Sequence, residues 1–371
     1  MDGLGLTRRG LLRVGGASAF AAAAGGGAVS VLRGRGQDET PPASFYLGTY
    51  APAGGAGIVR GRLDPAAGTP LVEGYTGAVS AASWLATSPA GSILYAISEQ
   101  DAGTVSTLTP DLAVLRTTPT GAGPVHVAVH PGGTYLFVSL YGGGAVVTHP
   151  IADDGTVDPA TDTRKHRSGN RTAHAHQVVV DPMGAHVLAV DLGLDLVITY
   201  ALEGQAGKLS EVSRTRLARG SGPRHLAFHP DGDYAYVANE HDSTVTVCAW
   251  TDGVLEPGQV VDAAPKTGVT NQPGEIAVSA DGHFVYVSNR GSNTIGVFET
   301  ANNGAALNRI AEPSCGGDWP RHLALDQTGK RLYVANERSG TVTWLPVNPA
   351  TGMLGAVAGT LTAQGAAQIL V

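Results

Sequence analysis

Apolar and polar residues alternate along most of this chain in short runs, and one arrangement recurs six times. Each unit has an apolar run, a tight turn containing Pro, Asp or Gly, and a second run rich in Tyr and Val, as in Arg224–Val237. Alternation with a period of two, interrupted by turn residues, predicts β-hairpins. The turns are centred between 42 and 51 residues apart, at Pro89, Pro131, Pro182, Pro230, Ala280 and Gln327.

A fixed repeat of this length, with four short strands per repeat, is typical of β-propeller blades. After each hairpin the chain continues into a third alternating strand, such as Ser243–Trp250, and then into a more polar fourth strand. We label the four strands A to D from the ring axis outward.

The two ends of the chain are expected to complete a seventh blade. Residues 45–50, 57–64 and 71–75 resemble strands B, C and D, and Gln368–Val371 can supply the missing strand A. Closing the ring in this way removes exposed sheet edges. The sequence therefore predicts an all-β, seven-bladed propeller over residues 44–371, in which N- and C-terminal strands share one blade.

Residues 1–43 differ from the rest and are predicted to be an export signal with a short linker. The pair Arg8 and Arg9 precedes Leu11 and Leu12, and an Ala- and Gly-rich apolar stretch follows over residues 14–32. This pattern is typical of twin-arginine signals that are removed on maturation. A membrane anchor is the alternative, but glycines break the stretch and it is barely long enough to span a bilayer.

We therefore expect an exported protein, extracellular or in the cell envelope, with no membrane span once the signal is removed. The chain has a net charge of −7 although five arginines lie in its first 36 residues. Such an acidic balance argues against a nucleic-acid partner. The two cysteines have neither a disulfide-framework nor a metal-type spacing. We expect a monomer without a cofactor or a bound metal.

The geometry of the hairpins predicts where chemistry can be placed. Strand A begins and strand B ends on the same face of the ring, so residues there surround one opening of the central channel, which we call the mouth. Two rings of positions follow from the turn positions. Six residues before them lie Ser83, Val125, His176, Arg224, Gly274 and Arg321, and ten residues after them lie Glu99, Tyr141, Leu192, Glu240, Arg290 and Glu337.

These rings mix acids, guanidinium groups and an imidazole, as a catalytic site requires. His176, Arg224, Glu240 and Arg290 are the candidate catalytic residues. Candidate substrate-binding residues are Arg171, Arg321, Asp191 and Glu337. Asp191 could instead be a turn residue, and Glu99 and Glu337 could be surface acids or arginine partners on the rim.

Two further expectations concern neighbouring residues. The segment 163–176 should carry Arg164, Lys165, Arg167 and Arg171 over the mouth, where they would favour an anionic ligand, unless residues 164–167 are simply a solvated loop. His225 and His322 directly follow ring arginines, so strict alternation predicts that they point into the stack of blades.

Several segments resemble the bacterial lactonase family of seven-bladed propellers, which includes one type of 6-phosphogluconolactonase and the fungal carboxymuconate lactonizing enzyme. They are spread over nearly all of the chain after residue 44: Tyr46–Tyr50, Gly123–Val127, His174–Val178, Asp191–Asp195, Gly222–Gly232, Asn239–Glu240, Ser288–Gly291 and Trp319–His322. The resemblance implies active-site roles for His176, Arg224, Glu240 and Arg290, the four residues that the ring positions also select.

The resemblance further implies hydrolysis of an anionic sugar lactone or a related small lactone. Glu240 would be the base, with His176 as the alternative, and the two arginines would bind the oxyanion or an anionic group of the substrate. Other lactonase propellers bind calcium through carboxylates and amides. In this chain arginines lie beside the acids of the mouth, which argues against a calcium site. Two other functions stay open, namely a muconate-type lactonizing isomerase and a non-catalytic exported binding propeller.

Overall fold

The computed structural model describes residues 43–371, so the predicted twin-arginine signal lies outside the described residues. The described part is a seven-bladed β-propeller in which each blade is a four-stranded antiparallel sheet. Two single-turn 3-10 helices, Ala51–Ala53 and Gly204–Ala206, interrupt the strands. Neither these nor any other helix within residues 43–371 has the length and apolar character to cross a bilayer.

The strands follow the predicted order A to D from the axis outward. The described part begins with three strands of the closing blade: β1 (Ser44–Thr49), β2 (Ile58–Leu63) and β3 (Pro70–Thr76). Blade 1 contains β4 (Leu85–Thr87), β5 (Leu94–Ser98), β6 (Gly103–Leu108) and β7 (Val114–Gly121). Blade 2 contains β8 (Pro124–Val129), β9 (Tyr135–Leu140), β10 (Ala145–Pro150) and β11 (Asp162–Lys165). Blade 3 contains β12 (Ala175–Val180), β13 (His186–Asp191), β14 (Leu196–Glu203) and β15 (Lys208–Arg216).

The second half of the ring repeats the same plan. Blade 4 contains β16 (Pro223–Phe228), β17 (Tyr234–Asn239), β18 (Thr244–Thr251) and β19 (Val254–Asp262). Blade 5 contains β20 (Gln272–Val278), β21 (Phe284–Arg290), β22 (Thr294–Ala301) and β23 (Ala306–Ala311). Blade 6 contains β24 (Pro320–Leu325), β25 (Arg331–Asn336), β26 (Thr341–Pro346) and β27 (Gly359–Thr362), and the last strand is β28 (Ala366–Leu370).

The predicted closure of the ring is confirmed. Strand β28 pairs antiparallel with β1, so that Ile369 lies opposite Leu47, and it forms the inner strand of blade 7. One blade therefore joins residues from both ends of the described chain, and strand β1 is paired on its inner side.

The hydrophobic core is divided among the blade interfaces. Each of seven buried clusters joins two neighbouring blades, and between blades 3 and 4, for example, Leu188 packs with Leu226 and Trp250. The tyrosines of the B strands add a repeated hydrogen bond. The hydroxyl groups of Tyr95, Tyr236, Tyr286 and Tyr333 donate to glycine carbonyls in turns of the following blade, at 2.6–3.0 Å.

The A strands carry β-bulges that control the channel lining. Within residues 43–371, six of the seven A strands shift register near their first residues. In β16, for example, Pro223 lies opposite Asn239 and His225 opposite Ala238, which leaves Arg224 as the extra residue. Because a bulge interrupts the alternation of faces, it can direct two consecutive residues to one side.

The bulges explain why the expected direction of His225 and His322 is wrong. The His225 ring contacts the rings of Trp84 at 5.1 Å and His126 at 5.5 Å, which belong to blades 1 and 2, on the far side of the channel from blade 4. His322 contacts Trp84 at the same separation of 5.1 Å. Both histidines therefore line the central channel below the mouth and do not point into the stack of blades.

Candidate active site

The mouth is built from the residue that follows or ends each B strand and from the bulge residues of the A strands. The first group comprises Tyr50, Glu99, Tyr141, Leu192, Glu240, Arg290 and Glu337. The second includes His176, Arg224 and Arg321. The repeated hairpin therefore brings side chains that are about fifty residues apart in sequence to one opening.

Glu240 lies between two arginines. One Nη of Arg290 lies 2.7 Å from Glu240 Oε2, and the Arg224 Nε lies 3.3 Å from the same oxygen. Both guanidinium groups are almost entirely buried, at 2% exposure for Arg224 and 6% for Arg290, whereas Glu240 keeps 16%. The structure thus brings together three of the four predicted catalytic residues in one ion-paired cluster.

Backbone carbonyls hold the two arginines from behind. Arg224 donates from one Nη to the Gly274 carbonyl at 2.6 Å, and Arg290 donates to the carbonyls of Gln272 and Pro273 at 3.0 Å. All three carbonyls belong to the first residues of β20. Hydrogen bonds of this kind restrict the rotamers of long side chains, so the guanidinium groups are pre-organised before a ligand arrives.

The balance of charges keeps Glu240 ionised. Burial raises the pKa of Glu240, but the positive charges of Arg290 and Arg224 outweigh burial, and the pKa lies below its ordinary value. The opposite holds for Arg224, where burial and the repulsion from Arg290 lower the pKa to about 9. Glu240 is therefore a carboxylate at neutral pH, able to accept a proton or a hydrogen bond.

A second cluster lies at the mouth around Arg321. One Nη of Arg321 donates to Glu337 Oε2 at 2.8 Å, and the other lies 3.6 Å from Glu99 Oε2. The Tyr50 ring lies 4.7 Å from the Arg321 guanidinium carbon, within the range of a cation–π contact. Glu99 and Glu337 are thus arginine partners at the mouth, which was one of the alternatives left open by the sequence.

His176 lies next to the first cluster and is uncharged at neutral pH. Its ring centroid is 5.9 Å from Tyr141 and 5.1 Å from His225, and the residue is only 7% exposed. Burial and the nearby Arg224 lower the pKa of His176 well below its ordinary value. Its Nδ1 is buried without a hydrogen-bond partner among the described residues. A neutral imidazole of this kind can accept a proton.

Asp191 has a structural position. The residue has no exposed surface, and its Oδ2 accepts from the His166 Nδ1 at 2.7 Å. Its Oδ1 accepts from the backbone amides of His174 and Leu194. The carboxylate therefore ties the loop that enters blade 3 to the turn after β13. Both carboxylate oxygens are therefore engaged by the protein itself, which agrees with the turn role that the sequence left open.

The basic segment differs from the sequence expectation at Arg164 and Lys165. Arg164 and Lys165 belong to the outer strand β11, and Arg164 pairs with Asp162 at 2.8 Å, so these two residues do not lie over the mouth. Arg171 lies in the following loop, where it pairs with Asp195 at 2.7 Å and donates to the Leu194 carbonyl.

Two aromatic residues of the mouth were missed by the sequence reasoning. Tyr50 is the blade 7 equivalent of Glu240, since it directly follows strand B, but the chain ends interrupt that blade and remove the turn position used for counting. Trp319 has φ of 65°, unusual for a bulky residue. The guanidinium carbons of Arg290 and Arg338 lie 5.5 Å and 3.3 Å from its ring centre.

The comparisons with known proteins agree with the fold and the sequence motifs. The family model described as "Lactonase, 7-bladed beta-propeller" matches residues 44–371. This chain belongs to the lactonase family. One relative in the family, a 6-phosphogluconolactonase of Bacillus subtilis, is 32% identical over 324 residues, which cover 83% of this chain and 92% of the relative.

Other members of the lactonase family resemble the chain to a similar degree. A 6-phosphogluconolactonase of Pectobacterium carotovorum is 32% identical over 65% of this chain and 72% of its own length. The structure of a periplasmic gluconolactonase of Pseudomonas aeruginosa superimposes with a TM-score of 0.83 at 27% identity, covering 88% of this chain and 98% of that protein. No group of three or more His, Cys, Asp or Glu side chains within residues 43–371 is arranged to hold a metal ion.

Proposed function

We propose that this protein hydrolyses a small lactone at the mouth of the propeller, without a metal ion. The observation that carries the proposal is the cluster of Arg224, Glu240 and Arg290 in a chain of the lactonase family. A carboxylate between two buried guanidinium groups supplies a proton acceptor next to two donors for a developing negative charge.

Hydrolysis then follows from the roles of these groups. Glu240 takes a proton from a water molecule as the water oxygen attacks the lactone carbonyl carbon. Arg224 and Arg290 donate hydrogen bonds to the tetrahedral oxyanion, whose charge they stabilise more than that of the neutral carbonyl. When the ring C–O bond breaks, the alkoxide leaving group takes a proton back from Glu240, directly or through His176. The products are the open hydroxy acid and the regenerated carboxylate.

The substrate class that the relatives favour is a sugar lactone. The names of two relatives, 6-phosphogluconolactonase and gluconolactonase, indicate that those proteins act on sugar lactones. We propose an anionic sugar lactone, whose charged group binds Arg321, with Glu337 orienting that arginine and Arg171 at the edge of the mouth. Turnover of glucono-δ-lactone compared with its 6-phosphate measures whether the negative charge contributes to binding.

The Glu240→Gln variant tests the proposed base. The change is nearly isosteric, so the fold and ligand binding should be retained, whereas kcat should fall about a hundred- to ten-thousand-fold, the range typical for loss of a general base. The matched control is Glu211→Gln, because Glu211 also pairs with an arginine, Arg214, but on an outer strand. Normal turnover by Glu240→Gln on a lactone that the parent hydrolyses would place the site elsewhere.

A parallel variant decides between the two candidate bases. His176→Asn should reduce kcat less than Glu240→Gln if Glu240 is the base, and more if the histidine is. Each variant is assayed on a panel of lactones and muconates. Interconversion of muconates without hydrolysis indicates the lactonizing isomerase, and a parent protein inactive on the whole panel indicates a binding propeller.

We also propose that the chain is exported through its twin-arginine signal and acts as a monomer. The acidic charge and the Arg8-Arg9 pair support export. Strand β28 fills the inner position of blade 7 within the same chain, so closing the ring requires no second copy.

A further inference from the structure

A buried carboxylate and two histidines lie in the channel below the mouth, outside the cluster to which the proposed chemistry is assigned. Glu275 of β20 is 6% exposed, and its Oε2 lies 2.8 Å from His225 Nδ1 and 3.4 Å from His322 Nε2. Its Oε1 accepts from the amide of Ile276 at 3.0 Å. The three side chains come from blades 4, 5 and 6, so Glu275 joins adjacent blades at the axis.

The partners of His225 determine which of its ring nitrogens carries the proton. Its Nε2 lies 3.4 Å from one Nη of Arg224. Since a guanidinium group can only donate, Nε2 must accept, and the single proton of the neutral ring must be on Nδ1, which donates to Glu275. The ring is fully buried, and burial together with the charge of Arg224 lowers the pKa of His225 well below its ordinary value, in agreement with a neutral ring.

This arrangement contacts Arg224 on the side of its guanidinium group that faces away from the mouth. The same Nη that faces His225 donates to the Gly274 carbonyl at 2.6 Å, while Nε faces Glu240 on the other side. Gly274 and Glu275 are consecutive residues of the β20 bulge. Transfer of the His225 proton to Nε2 would place an N–H against the guanidinium group, and rotation of the ring would place a C–H there. Either change removes the acceptor for Arg224 and would displace it from its contact with Glu240.

We propose that His225 and Glu275 are positioning residues for Arg224, a role that rests on the proposed function of the mouth. Glu275 orients the His225 ring and keeps its proton on Nδ1, and His225 Nε2 in turn fixes the Arg224 guanidinium where the oxyanion develops. Partners that orient metal-binding side chains typically change affinity or activity by about 10- to 100-fold when they are lost, and we expect an effect of that size for the partners of Arg224.

The test compares the same substitution, histidine to asparagine, at the two histidines that contact Glu275. His225→Asn keeps an N–H close to the position of Nδ1 but removes the acceptor for Arg224. His322→Asn removes the other imidazole from Glu275 without touching Arg224, so it controls for the loss of packing in the channel. We expect kcat/KM to fall about 10- to 100-fold in His225→Asn and less than about threefold in His322→Asn. Equal losses in the two variants would overturn the proposal.

A double-mutant cycle distinguishes positioning from a general structural role. If His225 acts through Arg224, then His225→Asn should have little further effect on kcat/KM in an Arg224→Lys background, whereas independent structural effects would add. The proton position is read directly from the ¹⁵N shifts of the His225 imidazole, assigned by its absence from His225→Asn. A proton on Nε2 in the parent would overturn the proposal, and Glu275→Gln should shift the parent signals.

These results can be separated from a failure of the proposed function. If Arg224→Ala and Glu240→Gln both retain parental lactone hydrolysis, the site assignment itself is wrong. If those variants are inactive but His225→Asn and His322→Asn behave alike, only the positioning role is wrong.

Discussion

Two glutamates, one at the mouth and one in the channel, show how neighbours decide the state of a carboxyl group. Glu240 is partly buried and Glu275 is buried, and burial raises the pKa of each. Glu240 contacts two guanidinium groups, which lower its pKa below the ordinary value, whereas Glu275 contacts neutral imidazoles and its pKa stays raised. The same residue type is therefore a firmly ionised group at the mouth and a more basic group below it.

The buried histidines of the channel predict that the fold is sensitive to acid. Burial lowers the pKa of His126, His176, His225 and His322, to about 4 for His322. In the unfolded chain these rings become protonated below about pH 6.5. The unfolded state therefore binds more protons between pH 6.5 and 4, and the free energy of unfolding falls as the pH decreases through that window. The raised pKa of Glu275 has the opposite effect on the free energy of unfolding, but Glu275 is one group and the histidines are four.

We expect His322 alone to lower the free energy of unfolding by roughly 3 kcal/mol between pH 6.5 and 4. The measurement is the free energy of unfolding in urea as a function of pH. The slope in this window should be smaller for His322→Asn, because that variant lacks one of the groups that titrate on unfolding. A free energy of unfolding that does not change from pH 7 to pH 4 would show that the channel histidines are not neutral in the folded state.

At the scale of strands, two glutamines connect the A strands of neighbouring blades. The side chain of Gln368 in β28 accepts from the Leu85 amide at 2.6 Å and donates to the Leu85 carbonyl at 3.1 Å. Gln177 in β12 makes the same pair of bonds with Leu226 in β16. In each case the side-chain amide makes the two hydrogen bonds that a neighbouring strand would otherwise make with this leucine. The backbone amide and carbonyl of the leucine are therefore not left unpaired at the inner edge of the blade.

The closing strand should therefore be essential to stability. Deleting Gln368–Val371 removes most of β28 and exposes the inner edge of β1, so the melting temperature should fall by far more than a few degrees. Gln368→Ala is a milder variant, which leaves the Leu85 amide and carbonyl buried without partners and should cost about 1–3 kcal/mol. Gln177→Ala is its matched control away from the closure and should cost a similar amount. A deletion that melts within a degree or two of the parent would contradict the role of β28.

At the scale of the whole molecule, the ring combines rigid walls with a charged centre. Seven apolar interfaces between blades hold the walls, while three arginines and three glutamates of the mouth pair with one another across blades 1, 4, 5 and 6. The geometry of the charged groups therefore depends on how neighbouring blades pack.

The predicted export of the whole protein can be tested separately from its chemistry. Replacing Arg8 and Arg9 with Lys should leave the protein in the cytoplasm, because twin-arginine recognition depends on that pair. The matched control replaces Arg33 and Arg35 with Lys, which makes the same change of residue type after the apolar stretch. Cell fractionation followed by an immunoblot measures the outcome, and normal secretion of the Arg8 and Arg9 variant would contradict the prediction.

Much of this architecture was readable in the sequence because its signals are local. Alternation with a period of two, together with turn residues such as Pro230 and Gly232, defines each hairpin without reference to the rest of the chain. Counting from the turns then selected Arg224, Glu240, Arg290 and Arg321, which the structure brings to the mouth. The residue after strand B of the closing blade, Tyr50, was missed only because the chain ends interrupt its hairpin.

The contacts between these residues were decided by the tertiary structure alone. Sequence spacing does not reveal that Glu240 pairs with Arg290 of the next blade, since that depends on the angle between blades. Nor does it reveal the bulge that turns His225 toward the axis, because a bulge breaks the alternation on which the prediction rests. The sequence by itself therefore determined the blades and the positions around the mouth, whereas the packing of blades decided which charges meet and which side chains are enclosed.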